Sequence, residues 1–217
     1  MDGVSKGIWM ESRVTVCLLS RRPRLGQGKS RLARELGPEA ALAIQWQLLE
    51  RCCHTLDQLP PPFRVSVHWT GEASGFEAWT LPPWALPGAE QPAGELGARM
   101  AAIVEKSLAH GSRAVILLGS DCPWLEAQDL HDAARALERT DCVLGPAEDG
   151  GYWLIGARRW HPGLFPDTVW GGPTVLQDTR DSLAATGLDW SELRTLPDVD
   201  RPDDWTRWQE ERNTHHG

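Results

Sequence analysis

The chain lacks any apolar stretch approaching the roughly 20 residues that a membrane helix needs. It also lacks a Cys-x-x-Cys motif: its five cysteines, Cys17, Cys52, Cys53, Cys122 and Cys142, are odd in number and two are adjacent. That pattern suits neither a disulfide framework nor a zinc site and points to a reducing, cytoplasmic setting. The N-terminus, with Asp2 and Glu11 and no apolar core, is not expected to be a secretory signal. Excess positive charge is missing as well; the formal net charge is −8, which excludes nucleic acid or an anionic membrane as the main partner. Phenylalanine and tyrosine are scarce, three and one against twelve tryptophans, so tryptophan supplies most of the flat faces. Trp46 falls in a helical pattern and reads as core, whereas Trp124, Trp153 and Trp170 lie in or beside the candidate site loops.

One further absence is local. No acidic residue occurs from Ser12 to Arg34, yet Arg13, Arg21, Arg22, Arg24, Lys29, Arg31 and Arg34 all fall there. A basic segment in an acidic protein suggests an anion site such as a nucleotide phosphate chain, although a solvated basic face explains the charge equally simply.

What is present is a strand–helix alternation. Short unbroken apolar runs at 14–19, 114–118 and 142–144 read as strands buried on both faces. Residues 64–69 alternate like a strand, and Tyr152–Ile155 forms another. Helices are expected from Pro38, with a stripe of Leu42, Trp46, Leu49, Cys53 and Leu56, and from Leu96 through Leu108. Others are expected near 126–138, from Val175 to a stop at Gly187, and from Pro202 onward. Residues 70–94 are rich in Gly and Pro and are compatible with a short helix and an edge strand. The pattern predicts an α/β sandwich on a largely parallel sheet. It is organised as a loose lead-in over 1–12, one domain over 13–210 and a tail over 211–217.

Ligands of such sheets bind beyond the carboxyl ends of the strands, and four segments fall there. Gly26-Gln27-Gly28-Lys29-Ser30 ends like a P-loop, but that motif needs Gly where the chain has Pro23, and proline removes a backbone N–H. What remains is a Gly-containing loop with Lys29 and Arg31 opening toward a helix N-terminus, which suits phosphate. Asp121, in Gly119-Ser120-Asp121-Cys122-Pro123, is either a helix cap or a ligand for a hard cation. Glu148-Asp149-Gly150-Gly151 is either a plain turn or a loop whose glycines admit a ligand closely. Asp203 and Asp204 belong to the first turn after Pro202, where the helix dipole favours them. Asp198 and Asp200 have no such explanation; on an extended segment they share one face, so either can reach a metal.

Taken together these segments resemble the glycosyltransferase-A-like family associated with arsenosugar biosynthesis, within the nucleotide-diphospho-sugar transferase superfamily. The likeness rests on Arg21-x-Pro23-x-x-Gly26-x-x-Lys29-Ser30-Arg31-Leu32, on Gln91-x-x-Gly94-Glu95-Leu96-Gly97-x-Arg99-Met100 and on Gly119-Ser120-Asp121-Cys122-Pro123. It continues through Gly145 to Gly156, Trp170-Gly171 and Asp198-Val199-Asp200, and spans roughly residues 14–206. The resemblance implies a three-layer α/β/α GT-A fold with a mostly parallel mixed sheet, a nucleotide-diphospho-sugar donor, a small-molecule acceptor and Mg²⁺ or Mn²⁺. By position it implies that Arg21, Gly26, Lys29, Arg31, Arg99 and Ser120 meet the donor's nucleotide and phosphates, and that Asp121 and Asp200 hold the metal. It places Gly150, Gly151, Tyr152 and Trp170 on the acceptor side, with Asp149 as base or acceptor contact and Asp121 and Asp149 as the catalytic pair. The family's Asp-x-Asp element is reduced here to the single Asp121.

The same layout serves nucleotidyl transfer from a nucleoside triphosphate, as in 2-phospholactate guanylyltransferase, which also carries Asp-Gly-Gly. That family continues with Thr-Asn where this chain has Tyr152-Trp153. A phosphorylated acceptor would need cations near 150–175, and only Arg158 and Arg159 are there. A nucleotide-binding protein without turnover is the third reading.

Overall fold

The computed structural model describes residues 13–71, 73 and 88–214. Seven strands form one sheet among these residues: β1 (Val14–Arg21), β2 (Phe63–Thr70), β3 (Ala89–Glu90), β4 (Ala114–Gly119), β5 (Cys142–Pro146), β6 (Tyr152–Ala157) and β7 (Trp190–Glu192). The order is β3-β2-β1-β4-β6-β5-β7, and all neighbours run parallel except β6, which is antiparallel to both β4 and β5. Six helices accompany it: α1 (Ser30–Leu36), α2 (Pro38–Asp57), α3 (Leu96–Ala109), α4 (Ala127–Ala136), α5 (Val175–Thr186) and α6 (Pro202–Thr214).

The strands alternate between two buried faces, as period-two geometry requires. Val16, Leu18, Ile116 and Leu118 pack on one side against α2 and α4. Cys17, Val115, Leu117 and Ile155 pack on the other against α3 and α5. A third cluster joins α1, α2 and α6 through Leu32, Ile44, Leu48, Val199, Trp205 and Trp208. The three-layer α/β/α sandwich with a mostly parallel mixed sheet is therefore the fold expected from the sequence. All five cysteines are buried and free. No helix among the described residues is long and apolar enough to cross a membrane.

The apolar stripe of α2 is shifted from the expected one. Ala41, Ile44, Leu48 and Cys52 are fully buried alongside Leu49, Cys53 and Leu56, while Leu42 and Trp46 sit at the margin. The helix is covered from two sides, by the sheet and by α1 and α6, so its apolar face is wider than one stripe. Helix α1 begins where the basic loop was expected to open toward a helix, although no separate helix before Pro38 was expected; the three-residue strand β7 and a short 3-10 turn at Pro162–Leu164 were not anticipated. Of the Gly/Pro-rich segment, β3 is the expected edge strand; the expected short helix lies outside the described residues.

Between β5 and β6 the chain turns through Gly150, whose φ is +89°; its carbonyl accepts from Leu176 N–H at 2.9 Å. A methyl group at this position would collide with the Pro173 carbonyl oxygen. Gly150→Ala combines that clash with a left-handed backbone and is expected to cost about 3 kcal/mol in denaturant unfolding, with the midpoint rather than the slope moving.

Candidate functional site

Four chain segments meet at the carboxyl edge of the sheet, and the topology explains why. Strands β1, β4 and β5 are mutually aligned and all end on one edge. After β7 the chain keeps following β5: Leu193 N–H donates to Leu144, Leu196 N–H to Pro146 and Glu148 N–H to Leu196. A partly buried, two-pronged ion pair from Arg194 to Asp129, at 2.7 and 2.8 Å, fastens this stretch to α4. Val199 N–H then donates to the Asp121 carbonyl at 2.9 Å, which sets Asp198 and Asp200 beside the β4 loop.

Lys29 is the centre of the arrangement. It caps the start of α1 with φ 45° and ψ 45°, the one non-glycine residue in the left-handed region among those described. Its ammonium is buried and donates to the Val199 carbonyl at 2.6 Å. The same ammonium lies 3.0 Å from Asp121 and 3.4 Å from Asp200. Burial opposes its charge, but the Asp121 and Asp200 carboxylates outweigh that, so its pKa is raised. Arg31 adds a second contact to Asp200 at 2.8 Å. Asp121 is not a helix cap: α4 is capped reciprocally by Glu126 and Asp129.

Asp198 is the perturbed group. Its carboxyl is pushed up to about 6 by burial and then by the Asp149 and Asp200 charges, with Lys29 acting in the opposite sense. Asp149 accepts from Gly151 N–H at 2.8 Å and lines the cleft. Glu148 is engaged instead with Arg207 of α6 at 3.0 Å.

A cleft of about 590 Å³ runs over this rim. Of the expected site residues, Arg21, Lys29, Arg31, Ser120, Asp121, Asp149, Gly151, Tyr152, Trp170 and Asp200 line it. Ser120 bonds Ser20 at 3.1 Å across the β4–β1 boundary. Three expected residues do not line it. Arg99 turns back to the Gly94 carbonyl at 2.5 Å. Gly150 lies against Pro173. Gly26, with φ +72°, shapes the turn where Gln27 N–H donates to Arg24. Asp198, Gln45 and Met100 also line the cleft. The first was visible in the sequence as an acid without a structural role; Met100 was visible as the end of the Gln91–Met100 motif, and Gln45 carried no signal.

The donor set suits a divalent cation. Asp121 and Asp200 carry hard oxygen donors on separate loops and meet at the Lys29 ammonium. Among the described residues no group of three or more ligating side chains forms a complete cage. Two carboxylates fit a cation only where other oxygen donors complete its shell, a requirement that Mg²⁺ meets with water and substrate phosphates.

Comparison with known proteins agrees with the fold. The architecture is that of the nucleotide-sugar transferase and cytidylyltransferase folds. The chain belongs to the family described as "Uncharacterized protein conserved in bacteria (DUF2064)", whose profile matches residues 59–172, more than half of its length. A Desulfovibrio desulfuricans G20 protein, provisionally named a nucleotide-diphospho-sugar transferase, is 29% identical with a TM-score of 0.79, over 88% of this chain and 83% of that one. CMP:2-keto-3-deoxy-manno-octonic acid synthetase, solved with CTP, is 12% identical with a TM-score of 0.58, over 94% and 100% of the two chains. Glucosyl-3-phosphoglycerate synthase from Mycobacterium tuberculosis, solved with Mn²⁺, UDP and glucosyl-3-phosphoglycerate, is 14% identical with a TM-score of 0.52, over 91% and 75%. The last two likenesses bear on fold alone. No curated protein matches the chain.

Two outcomes test the electrostatics. Lys29→Met leaves Asp121 and Asp200 facing one another without their shared cation. It is expected to lower stability by about 1–3 kcal/mol in EDTA, with Mn²⁺ restoring the melting temperature more than in the parent. For Asp198, both folded and unfolded states are protonated below its unfolded value near 4; above that pH only the folded state resists ionisation, so stability falls as pH rises toward 6. Asp198→Asn should therefore stabilise the metal-free chain at pH 7.5 and do little at pH 4.5; equal gains at both values would contradict burial and neighbouring carboxylates as the cause of the shift.

Proposed function

We propose that this chain is a metal-dependent transferase that moves a glycosyl group from a nucleotide-diphospho-sugar to a small-molecule acceptor. The observation that carries the reading is the meeting of Asp121 and Asp200 on the buried Lys29 ammonium, at the carboxyl edge of an α/β sheet, with Arg21 and Arg31 on the same wall. A donor pyrophosphate gains negative charge as its bond to the sugar breaks, and preorganised cations at that point stabilise the transition state most.

Arg21, Lys29, Arg31 and Ser120 receive the phosphates. Asp121 and Asp200 would hold Mg²⁺ or Mn²⁺, which supplies further charge neutralisation on the leaving nucleoside diphosphate. Lys29 then has phosphate oxygens as well as carboxylates within reach. On the other wall Asp149, fixed by Gly151 N–H, is placed to accept the proton of an acceptor hydroxyl as its oxygen bonds to the anomeric carbon. Gly151, Tyr152 and Trp170 hold that acceptor. Positioning both substrates in one cleft removes much of the entropic barrier. The names of the structural relatives support this reading: two are sugar transferases, and one of those was solved with Mn²⁺ and UDP. The narrower connection to arsenosugar biosynthesis rests on the sequence motifs and belongs to the same proposal.

Incubation with panels of nucleotide sugars and nucleoside triphosphates, with and without Mn²⁺, tests it. Nucleoside diphosphate release that EDTA abolishes is the expected result. Pyrophosphate release would replace it with nucleotidyl transfer, and binding with neither product would mark a non-catalytic nucleotide-binding protein. Asp121→Asn should lower turnover by about 100-fold or more while moving the melting temperature by less than about 2 °C, because its side chain is half exposed. A large melting shift would reassign Asp121 to structure.

A further inference from the structure

The cleft is divided by charge. Its lining cations, Arg21, Lys29 and Arg31, all come from the β1–α1 segment. A second group of lining residues is apolar: Leu96 and Met100 of α3, Leu117, Tyr152, Ile155 and Trp170, all but Leu96 packed in one cluster. Tyr152 and Trp170 meet edge to face, with centroids 6.4 Å apart and planes at 82°. The Trp170 ring seats directly on α3 at Gly97, where any side-chain carbon would come within 2.5 Å of it. The Tyr152 hydroxyl is buried beside this wall, and burial raises its pKa well above the usual phenol value, so the wall carries no charge there either.

The two arginines nearest in sequence do not reach this end. Strand β6 starts at the rim with Tyr152 and, being antiparallel, carries the chain away from it. Arg158 and Arg159 emerge at the far edge and each bonds Asp141, at 3.1 Å. The charged group that borders the cleft in the same turn as Tyr152 is a carboxylate, Asp149, which repels an anion; Asp198 lies with Asp200 beside Lys29.

We infer that the acceptor end of the cleft takes an uncharged small molecule with an apolar or aromatic face, and rejects a phosphorylated one. This deepens the glycosyl-transfer reading and rests on it for the identity of the two ends. The cleft volume is in the range of small-molecule sites. Flat faces on Tyr152 and Trp170 suit a ring or the apolar face of a sugar, and a dianion against these apolar side chains would lose hydration that they cannot replace.

The test uses the full chain and a pair of ligands that share one ring: 4-nitrophenyl β-glucoside, which is neutral, and 4-nitrophenyl phosphate. Binding is measured by saturation-transfer NMR and calorimetry, and nucleoside diphosphates with Mn²⁺ are titrated separately into the same samples. The glucoside is expected to bind at least about tenfold more tightly than the phosphate. Trp170→Phe should weaken the glucoside by about threefold or more. Leu96→Arg, at a partly exposed position on the rim, should narrow or reverse the preference. Equal or tighter binding of the phosphate by the unaltered chain, no binding of the glucoside, or no response to Trp170→Phe would each overturn the inference. If the glucoside binds as expected while no nucleoside diphosphate does, the acceptor chamber stands and the donor reading fails.

Discussion

A single buried ammonium holds the rim together. Two carboxylates that surplus charge would otherwise drive apart are kept in contact by Lys29, which also draws in the Val199 carbonyl. A partly buried carboxylate pair without such a cation would protonate or separate. The left-handed backbone at Lys29 costs energy that a glycine would not incur, and strain of this kind persists where surrounding contacts over-determine it. Here those contacts are the three oxygen partners at the end of the side chain.

The sheet supplies the rest. One antiparallel strand lets the chain make a hairpin at the rim, so that Asp149 and Tyr152 come from two sides of a single turn. It also sends Arg158 and Arg159 to the far edge. The same topological choice thus sets Asp149 at the rim and both arginines at the far edge. Under the proposed function, a polyanionic donor and an uncharged acceptor would each meet a matching surface.

Much of this was legible in the sequence for identifiable reasons. Continuous apolar runs marked β1, β4 and β5, and an acid directly after such a run falls on the rim whatever the details of packing. Asp200 was legible because Asp203 and Asp204 had a sufficient explanation in the first turn of α6 and it did not. Helix α1 is seven residues long and meets α2 at Gly37, so no full amphipathic period separated it from the basic loop. Strand β7 is three residues long and is recognised by pairing, not by pattern. Arg99 shows the limit of position matching: the residue keeps its place in the motif while its guanidinium closes a local turn onto Gly94. Gly97 shows the reverse. It lacks a side chain, yet it decides where an indole ring can rest.

The partners of Lys29 lie far along the chain, with Asp200 separated from it by 171 positions. Such a contact closes a loop comprising most of the polypeptide, and closure of that kind comes late in the search for the folded state. During synthesis the basic segment leaves the ribosome long before the acidic residues that neutralise it. Until the last strand and helix have docked, Lys29 lacks Asp200 and the Val199 carbonyl, and the third core cluster lacks Val199, Trp205 and Trp208, so a prematurely terminated product would lose part of the core together with the assembled rim.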